Sequence, residues 1–301
     1  MDEQHQSGFT DLAGFELVSV VVPVLNEAEM LPTQLEALAS QTYRGAWEVV
    51  VADNGSDDGT AEAALGWSDR LPGLRVVYAP ERRNRSYALN MGARAARGDF
   101  IAVCDADDVV EPRWLEALVE VGRTCDIVGG SLDRTSLNSA MAQSWRPGPN
   151  KKAQPIFLGM LPYAPGGNCG VRTEVFRALG GWREAFVSGQ DTDFSWRAQL
   201  ASYSLCYARH AVVRYRYRED LRAHARQFFR YGQDQPRLYR HYRDLGMPRS
   251  SLRVAWRQWA WTAAHIGDLR GSSQKKGIWI RKAAYRWGRL VGSIRQRVLF
   301  L

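Results

Sequence analysis

The first half of the chain alternates short apolar runs with segments of helical spacing. The runs are rich in β-branched residues and apolar on both faces, as buried parallel strands are, and cover 17–25, 47–53, 74–80 and 100–107. Between them, apolar side chains recur every three or four positions, for example over 31–38 and 88–96. The alternation predicts an α/β fold with a doubly wound, mostly parallel sheet and helices on both of its faces.

The second half of the chain is less regular. Its predicted elements are a helix at 112–123, a strand at 126–132, a long loop at 133–165, a short helix at 173–179, a helix at 189–203, a β pair at 204–208 with 211–217, and helices at 219–245 and 278–299. A length of 301 residues suits one large domain with an appendage. We expect a polar segment at 1–16, an α/β domain at 17–218 and a helical extension at 219–301.

The cysteines and the chain start bear on location. The four cysteines are far apart and form no CxxC pair, which favours free thiols in a reducing compartment over a zinc site or disulfides. The polar, acidic start does not resemble a signal peptide, and no apolar run approaches the roughly 18–20 residues of a spanning helix. We therefore expect a cytoplasmic protein, either soluble or peripheral at the inner face of the membrane.

Charge divides the chain into two parts. Residues 1–208 have a net balance of −9, whereas residues 209–301 have a balance of +17. Such a split is typical of a protein whose acidic part contains the reactive site and whose basic part binds an anionic surface.

Acidic residues follow three of the predicted strands. PVLNE (23–27), DNGSDDG (53–59) and DADD (105–108) stand at carboxyl ends, where open parallel sheets bind their ligands. Asp105 and Asp107 lie two positions apart at a strand end, so both carboxylates are expected on one side. Oxygen ligands of this kind suit Mg²⁺ or Mn²⁺, which predicts a metal site on Asp107 and Asp105.

Several other phosphate-handling or hydrolytic motifs are absent. The first strand is followed by no GxGxxG, and the chain contains no GK[ST], HExxH or GxSxG. DNGSDDG does not have the glycine and glutamate spacing of a calcium loop. These absences argue against a dinucleotide site, a P-loop, a zinc protease and a serine hydrolase.

Six segments in order resemble the family 2 inverting glycosyltransferases of GT-A fold. They are VVVPVLNE, ADNGSDDGT, RSYALNMG, CDADD, GGNCGVRTEVFRALGGW and GQDTDFSWR, and the resemblance covers about residues 17–245. It implies a nucleotide-sugar half at about 17–132, an acceptor half at about 133–218, and a nucleotide-sugar donor as substrate.

The resemblance also implies roles for individual residues. The donor nucleotide and its diphosphate are expected to contact Pro23, Leu25, Glu27, Asp53, Arg85, Asp105 and Asp107. On the sugar or acceptor side we expect Gly167, Asn168, Trp182 and Gln190, although Trp182 is as well explained by packing. Asp191 matches the catalytic base of the family.

Helix geometry supports the choice of base. Asp191 and Asp193 are about 200° apart around a helix axis, so only one of them faces the site. Asp191 is preferred because Phe194 and Ala198 extend its side of the helix toward the core, and Asp193 is expected to cap the helix or pair with an arginine. The chain departs from the family at Gln190, where a Glu is usual, and near Arg214, where many relatives have a metal-reaching His.

The last predicted helix has an apolar stripe with basic flanks. The stripe consists of Ile280, Ala284, Trp287, Val291, Ile294 and Val298, and the flanks consist of Arg281, Lys282, Arg286, Arg289, Arg295 and Arg297. This pattern is typical of a helix in an anionic membrane interface, and equally of a helix packed on its own domain. Nucleic-acid binding is disfavoured because no corresponding motif is present.

The sequence therefore predicts an inverting, metal-dependent glycosyltransferase whose acceptor is open: lipid-linked, glycan, peptide or small natural product. The alternatives are a nucleotidyltransferase and a sugar-nucleotide-binding protein with impaired catalysis.

Overall fold

The computed structural model describes residues 14–146 and 153–301. The predicted polar segment 1–16 therefore lies, up to residue 13, outside the described residues, and so do positions 147–152 of the predicted loop.

Eight strands within the described residues form one sheet. They are β1 (Val18–Val24), β2 (Trp47–Asp53), β3 (Arg75–Tyr78), β4 (Phe100–Cys104), β5 (Val109–Val110), β6 (Ile127–Asp133), β7 (Asn168–Arg172) and β8 (Leu205–Arg214). Their order across the sheet is β3-β2-β1-β4-β7-β6-β8-β5. β7 runs antiparallel to β4 and β6, and β5 runs antiparallel to β8, while the remaining pairs are parallel. The predicted mostly parallel α/β sheet is confirmed.

Ten α-helices of the described chain surround this sheet. They are α1 (Leu31–Ala39), α2 (Thr60–Leu65), α3 (Arg85–Ala95), α4 (Trp114–Gly122), α5 (Ala140–Trp145), α6 (Thr173–Ala178), α7 (Gln190–Leu200), α8 (Leu221–Tyr242), α9 (Leu252–Ala264) and α10 (Ser273–Gln296). The predicted helical region at the C-terminus is present as α8, α9 and α10. No helix of the described chain combines the length and the apolar character that crossing a bilayer requires.

Strand β1 explains why the predicted runs are apolar on both faces. Val20 and Val22 are fully buried in one core, with α1 and α4, whereas Val21 is fully buried in a second core, with α3 and α7. Successive strand residues point to opposite faces, so the strands of a sheet covered by helices on both sides are mainly apolar on both faces.

The predicted β pair at 204–217 is wrong. Residues Leu205–Arg214 form one strand, β8, which runs parallel to β6. Its register shifts opposite Gly130 and Ser131, where Ala208 pairs with Gly130 and Val212 with Ser131. This irregularity places polar residues in the middle of the strand, and their polarity resembled a turn.

Two helices were missed. The predicted loop 133–165 contains α5, whose first turn is capped by the Ser139 hydroxyl, which accepts from the Ala142 amide at 3.2 Å. α9 was not predicted either, because its large apolar side chains face outward and form no core-facing stripe; Trp256 is 72% exposed. α5 is only six residues long, which is too short for a helical period to be recognised, and α9 has no large apolar side chains facing the core.

The expectation that all four cysteines are free thiols is also wrong. Cys125 and Cys206 form a disulfide with Cα atoms 6.1 Å apart, while Cys104 and Cys169 are free and buried. Cys206 lies opposite Val128 in the β6–β8 pair, and Cys125 stands just before β6. The sheet topology brings the two together although 81 positions separate them in sequence.

Helices α8 and α10 pack closely through glycines. A Cβ on Gly232 of α8 would overlap the Tyr285 carbonyl, and a Cβ on Gly288 or Gly292 of α10 would overlap backbone atoms of α8. The packed face of α10 is therefore its small-residue face. Its apolar stripe points elsewhere, with Trp287 52% exposed.

Candidate active site

A cavity of about 640 Å³ opens beside the carboxyl ends of β4 and β6. Six residues that the sequence assigned to a site line it: Arg85, Asp105, Asp107, Gly167, Gln190 and Asp191. Side chains of α8 and α10 also line it, so the C-terminal helices complete a cavity whose other walls belong to the α/β sheet.

Arg85 binds the carboxylate of Asp105, and Gly167 lies directly against it. Arg85 begins α3, and its guanidinium donates to Oδ1 of Asp105 from Nε, at 3.0 Å, and from Nη2. Nη2 also donates to the carbonyl of Gly166 at 3.1 Å. A Cβ on Gly167 would overlap Oδ2 of Asp105, so a glycine is required for this close approach.

Asp107 is largely buried and pairs with Arg218. The Arg218 guanidinium lies 2.9 Å from Oδ2 of Asp107. Burial, followed by the carboxylate of Asp105, raises the pKa of Asp107. β4 ends at Cys104, so both aspartates stand in the turn after the strand rather than on the strand itself. They nevertheless reach the same cavity and repel each other.

Four of the residues expected to contact the donor nucleotide, Pro23, Leu25, Glu27 and Asp53, lie at the ends of β1 and β2, outside the cavity lining. Asp53 is buried and accepts from the Ser56 amide at 2.9 Å and from its hydroxyl at 2.6 Å. Pro23 is on β1 and Leu25 follows it, 37% exposed. Burial, then the carboxylate of Asp107, raises the pKa of Glu27 to about 7, which couples this edge electrostatically to the metal-site candidates.

Asp191 lies in the first turn of α7 and faces the cavity. Its Oδ2 accepts from the Gly166 amide at 3.0 Å, and its Oδ1 accepts from the Thr192 amide at 2.9 Å. Burial raises the pKa of Asp191, although the two amides and Arg85 oppose the shift. The preceding Gln190 is 7% exposed, and its Oε1 has no hydrogen-bond partner among the described residues. A partly desolvated carboxylate at this place can accept a proton.

Asp193 is fully buried on the other side of α7, and the expectation that it pairs with an arginine is confirmed. Its carboxylate lies 2.9 Å from Arg183 and 2.9 Å from Arg197, and accepts from the Tyr242 hydroxyl at 2.7 Å. It therefore ties α7 to α8 and does not face the cavity.

Two residues assigned to the acceptor side belong to the core. Trp182 is 3% exposed and stacks on Phe194 with ring centroids 4.7 Å apart. Asn168 is fully buried, accepts from Trp114 Nε1 at 2.9 Å and donates to the Ala211 carbonyl at 2.9 Å. Packing accounts for the burial of Trp182, and hydrogen bonds between strands occupy the side chain of Asn168; contact of either residue with sugar or acceptor stays a prediction.

From the segment at and after the end of β8, Arg218 and not Arg214 pairs with Asp107. Arg214 ends β8 and pairs with Glu111 at 2.5 Å, whereas Arg218, four residues later, pairs with Asp107. Arg218 was not predicted as a site residue. Its only signal is the excess of arginines directly after β8, in RYRYR.

The carboxylate oxygens of Asp105 and Asp107 are ligands that suit a hard divalent cation, although the described residues supply few such ligands. Among residues 14–146 and 153–301, no group of three or more His, Cys, Asp or Glu side chains is arranged to hold a metal. Asp105 and Asp107 supply two mutually repelling carboxylates, and Mg²⁺ is usually held by one or two carboxylates with waters and substrate phosphates.

Two sequence families match the chain. The glycosyl transferase family 2 model matches residues 19–180, and the glycosyl transferase family group 2 model matches residues 100–273. Glycosyltransferase AglE of Haloferax volcanii is 34% identical over 199 residues, or 65% of each protein. The pre-mycofactocin glycosyltransferase of Mycobacterium tuberculosis is 30% identical, over 74% of this chain and 48% of its own length. The alignments thus span less than two thirds of these relatives.

Solved structures have the same fold. The mannosyltransferase PcManGT of Pyrobaculum calidifontis, in complex with GDP-Man and Mn²⁺, superposes with a TM-score of 0.59 at 21% identity, over 94% of this chain and 74% of that one. Glucosyl-3-phosphoglycerate synthase of Mycobacterium tuberculosis, with Mn²⁺, UDP and phosphoglyceric acid, gives 0.55 at 22% identity, over 78% and 80%. At these identities the likeness establishes the fold.

Proposed function

The chain belongs to glycosyl transferase family 2, and from this premise we propose that it transfers a sugar from a nucleotide-sugar donor to an acceptor nucleophile with inversion. The observation that carries the proposal is the shared cavity, in which Asp105 and Asp107 line one part and Asp191 another. Inverting transfer requires a base for the acceptor and a separate positive environment for the leaving diphosphate.

In the proposed reaction the acceptor oxygen attacks the anomeric carbon while the bond from that carbon to the diphosphate oxygen breaks. The acceptor proton passes to the carboxylate of Asp191, and the nucleoside diphosphate leaves with the bonding electrons. Arg85 and Arg218, which already pair with Asp105 and Asp107, supply fixed positive charge for the departing group. The amides of Gly166 and Thr192 orient Asp191.

We further propose that Mg²⁺ or Mn²⁺ is held by Asp107 with Asp105. The support is the repulsion between the two carboxylates, which a divalent cation would relieve, and the Mn²⁺ bound by the two fold neighbours. When bound, the ion would neutralise charge on the diphosphate. The donors named for the neighbours, GDP-Man and UDP, leave the nucleotide base of this chain open.

The proposal is tested by nucleoside diphosphate release from a panel of nucleotide sugars with Mn²⁺. Asp191→Asn should lower turnover by about 10²- to 10⁴-fold, the usual contribution of a positioned base, while donor affinity measured by calorimetry stays close to that of the original chain. Asp244→Asn is the matched control, because that side chain is 85% exposed and, among the described residues, forms an ion pair only with its neighbour Arg243.

The same assay separates the alternatives. A nucleotidyltransferase acting on the same nucleotide sugars would release a sugar phosphate instead of a nucleoside diphosphate, and an impaired binding protein would bind donors without turnover. Unchanged turnover in Asp191→Asn would remove Asp191 as the base.

We also propose that α9 and α10 rest on an anionic membrane surface. The support is an outward apolar surface with basic neighbours: Trp256 is 72% exposed, Ile294 is 69% exposed, and the Trp259 and Trp287 rings meet 5.2 Å apart between the helices. Each Lys or Arg near such a surface contributes about 1 kcal/mol. One face of α10 packs on α8, and we propose that another face contacts the membrane. Packing on the protein's own domain and membrane contact therefore involve different faces of this helix.

Vesicle co-sedimentation tests the membrane proposal. Trp256→Ala and Ile294→Ala should weaken retention on phosphatidylglycerol vesicles, and retention should fall at high salt because the attraction is screened. Ile156→Ala is the control, since Ile156 is 63% exposed but lies outside α9 and α10. Equal retention of all variants, or retention on neutral vesicles alone, would refute it.

A further inference from the structure

Two arginines on the helical side of the cavity have no acidic partner among the residues that the structure describes. Arg146 follows α5 and Arg281 is on α10; both line the cavity, and neither forms an ion pair within the described part of the chain. Their guanidinium carbons lie 4.6 Å and 5.6 Å from the ring centroid of Phe228. Two positive charges therefore gather at one aromatic ring.

Neutral groups hold these charges in place. Arg146 also stacks over Tyr217 at 4.4 Å and donates to the amide oxygen of Gln227. The Nε atoms of Arg146 and Arg281 are buried without a hydrogen-bond partner among the described residues. A buried N–H group without a hydrogen-bond partner is costly in free energy. This arrangement therefore favours a ligand that brings hydrogen-bond acceptor atoms into the cavity.

The carboxylates of the cavity are already engaged. Asp105, Asp107 and Asp234 each pair with another arginine, and Asp191 accepts from two backbone amides. The sequence of 147–152, PGPNKK, contains no acidic residue. The chain next to Arg146 thus offers no counter-charge.

His224 also contacts the Phe228 ring, and its pKa responds to the positive charge of the two arginines. It is 1% exposed, with its ring centroid 4.9 Å from that of Phe228. Burial, then Arg146 and Arg281, lower the pKa of His224 to about 4. Burial and the charge of Arg146 also lower the pKa of Arg281.

We propose that Arg146 and Arg281 form a phosphate-binding site for the acceptor, which is therefore a phosphorylated molecule whose nucleophile faces Asp191. The inference rests on the proposed function. Two guanidinium groups match a phosphate monoester, which has a charge of about −1.5 to −2 and three acceptor oxygens at pH 7. The donor diphosphate is assigned elsewhere, to the Asp105 and Asp107 side.

The probe is inorganic phosphate, titrated calorimetrically into the full chain at constant ionic strength. Arg281→Gln and Arg146→Gln should each weaken binding about tenfold or more, as expected for charge-assisted hydrogen bonds. Arg281→Lys should fall in between, because it keeps the charge without the planar fork. Arg295→Gln, an exposed position on the same helix, is the control. Circular dichroism establishes whether each variant is folded. If Arg146→Gln does not fold, phosphate binding by Arg281→Gln decides the test.

Each outcome bears on the phosphate site. Phosphate should bind in the presence of saturating UDP or GDP with Mn²⁺; displacement by the nucleotide would place it in the donor site and overturn the inference. Failure of the original chain to bind phosphate, equal binding by Arg281→Gln, or equally tight binding of acetate would also overturn it. Donor hydrolysis without any response to phosphate would refute this site alone. Phosphate binding without turnover of any nucleotide sugar would refute the proposed function and leave the site standing.

Discussion

Asp193 and Asp191 stand two positions apart on α7, and we predict opposite consequences when each is changed to Asn. Asp193→Asn removes a buried charge between Arg183 and Arg197, whose side chains are 42% and 13% exposed. The half-exposed pair with Arg183 is worth at most about 1 kcal/mol. Removing the partner of a buried charge such as Arg197 costs about 3–5 kcal/mol.

The cost at Arg197 is reduced because its guanidinium also donates to the carbonyls of Leu179, at 2.7 Å, and Gly181, at 2.6 Å. Asn retains an oxygen for the Tyr242 hydroxyl. We therefore expect Asp193→Asn to lower the free energy of unfolding by about 3 kcal/mol, at the lower end of the range.

Urea unfolding followed by circular dichroism measures this difference. With a slope near 3 kcal/mol per M, the midpoint should fall by about 1 M. Asp191→Asn is the matched comparison: burial already raises the pKa of Asp191, so loss of its charge should leave the midpoint nearly unchanged while turnover collapses. Equal midpoints for the two variants would show that the Asp193 pairs add no stability.

Three further predictions concern the metal site, the helix seam and pH. Asp107→Asn should abolish metal-supported turnover with an unchanged circular dichroism spectrum, and normal turnover would refute the metal site. Gly288→Ala should cost about 1–3 kcal/mol, because its methyl group would overlap the Phe229 carbonyl, whereas Gly267→Ala, which meets nothing within 4 Å, should be nearly neutral in urea unfolding. His224 has a pKa of about 4 in the fold against about 6.5 when unfolded, so the unfolded chain binds more protons in that range. Stability present above pH 6.5 should therefore decline by up to about 3 kcal/mol as pH falls toward 4, and His224→Phe should remove that part of the urea midpoint's pH dependence.

The parallel strands β1, β2 and β4 could be predicted because most of their residues are apolar on both faces, a pattern that few other structures produce. Asp105 and Asp107 could be found because they come shortly after an apolar strand, whereas Asp191 was identified because its segment resembles a family motif. Trp182 could not be assigned from sequence, because its burial depends on packing against α7 and on hydrogen bonds with Asn90, 92 positions away. Arg218 was missed for a related reason, since its partner is set by the sheet order and not by spacing.

The tail illustrates a limit of periodicity. An apolar stripe on α10 was visible in the sequence, yet the face that packs is the one with Gly288 and Gly292. Close backbone approach substitutes for large side chains there, and hydrophobicity does not report it. The stripe with Trp287 faces outward, which only the position of α8 reveals.

The cavity is assembled from two parts of the chain that are far apart in sequence and opposite in charge. Asp105 and Asp107 come from the acidic first half, while Arg281 and Tyr285 come from the basic tail. We propose that this division lets the two chemical tasks evolve separately. Substitutions along α8 and α10 would redirect the protein to a new acceptor while the donor apparatus is inherited intact, so exchange of this terminal region between relatives is a practical route to new specificities.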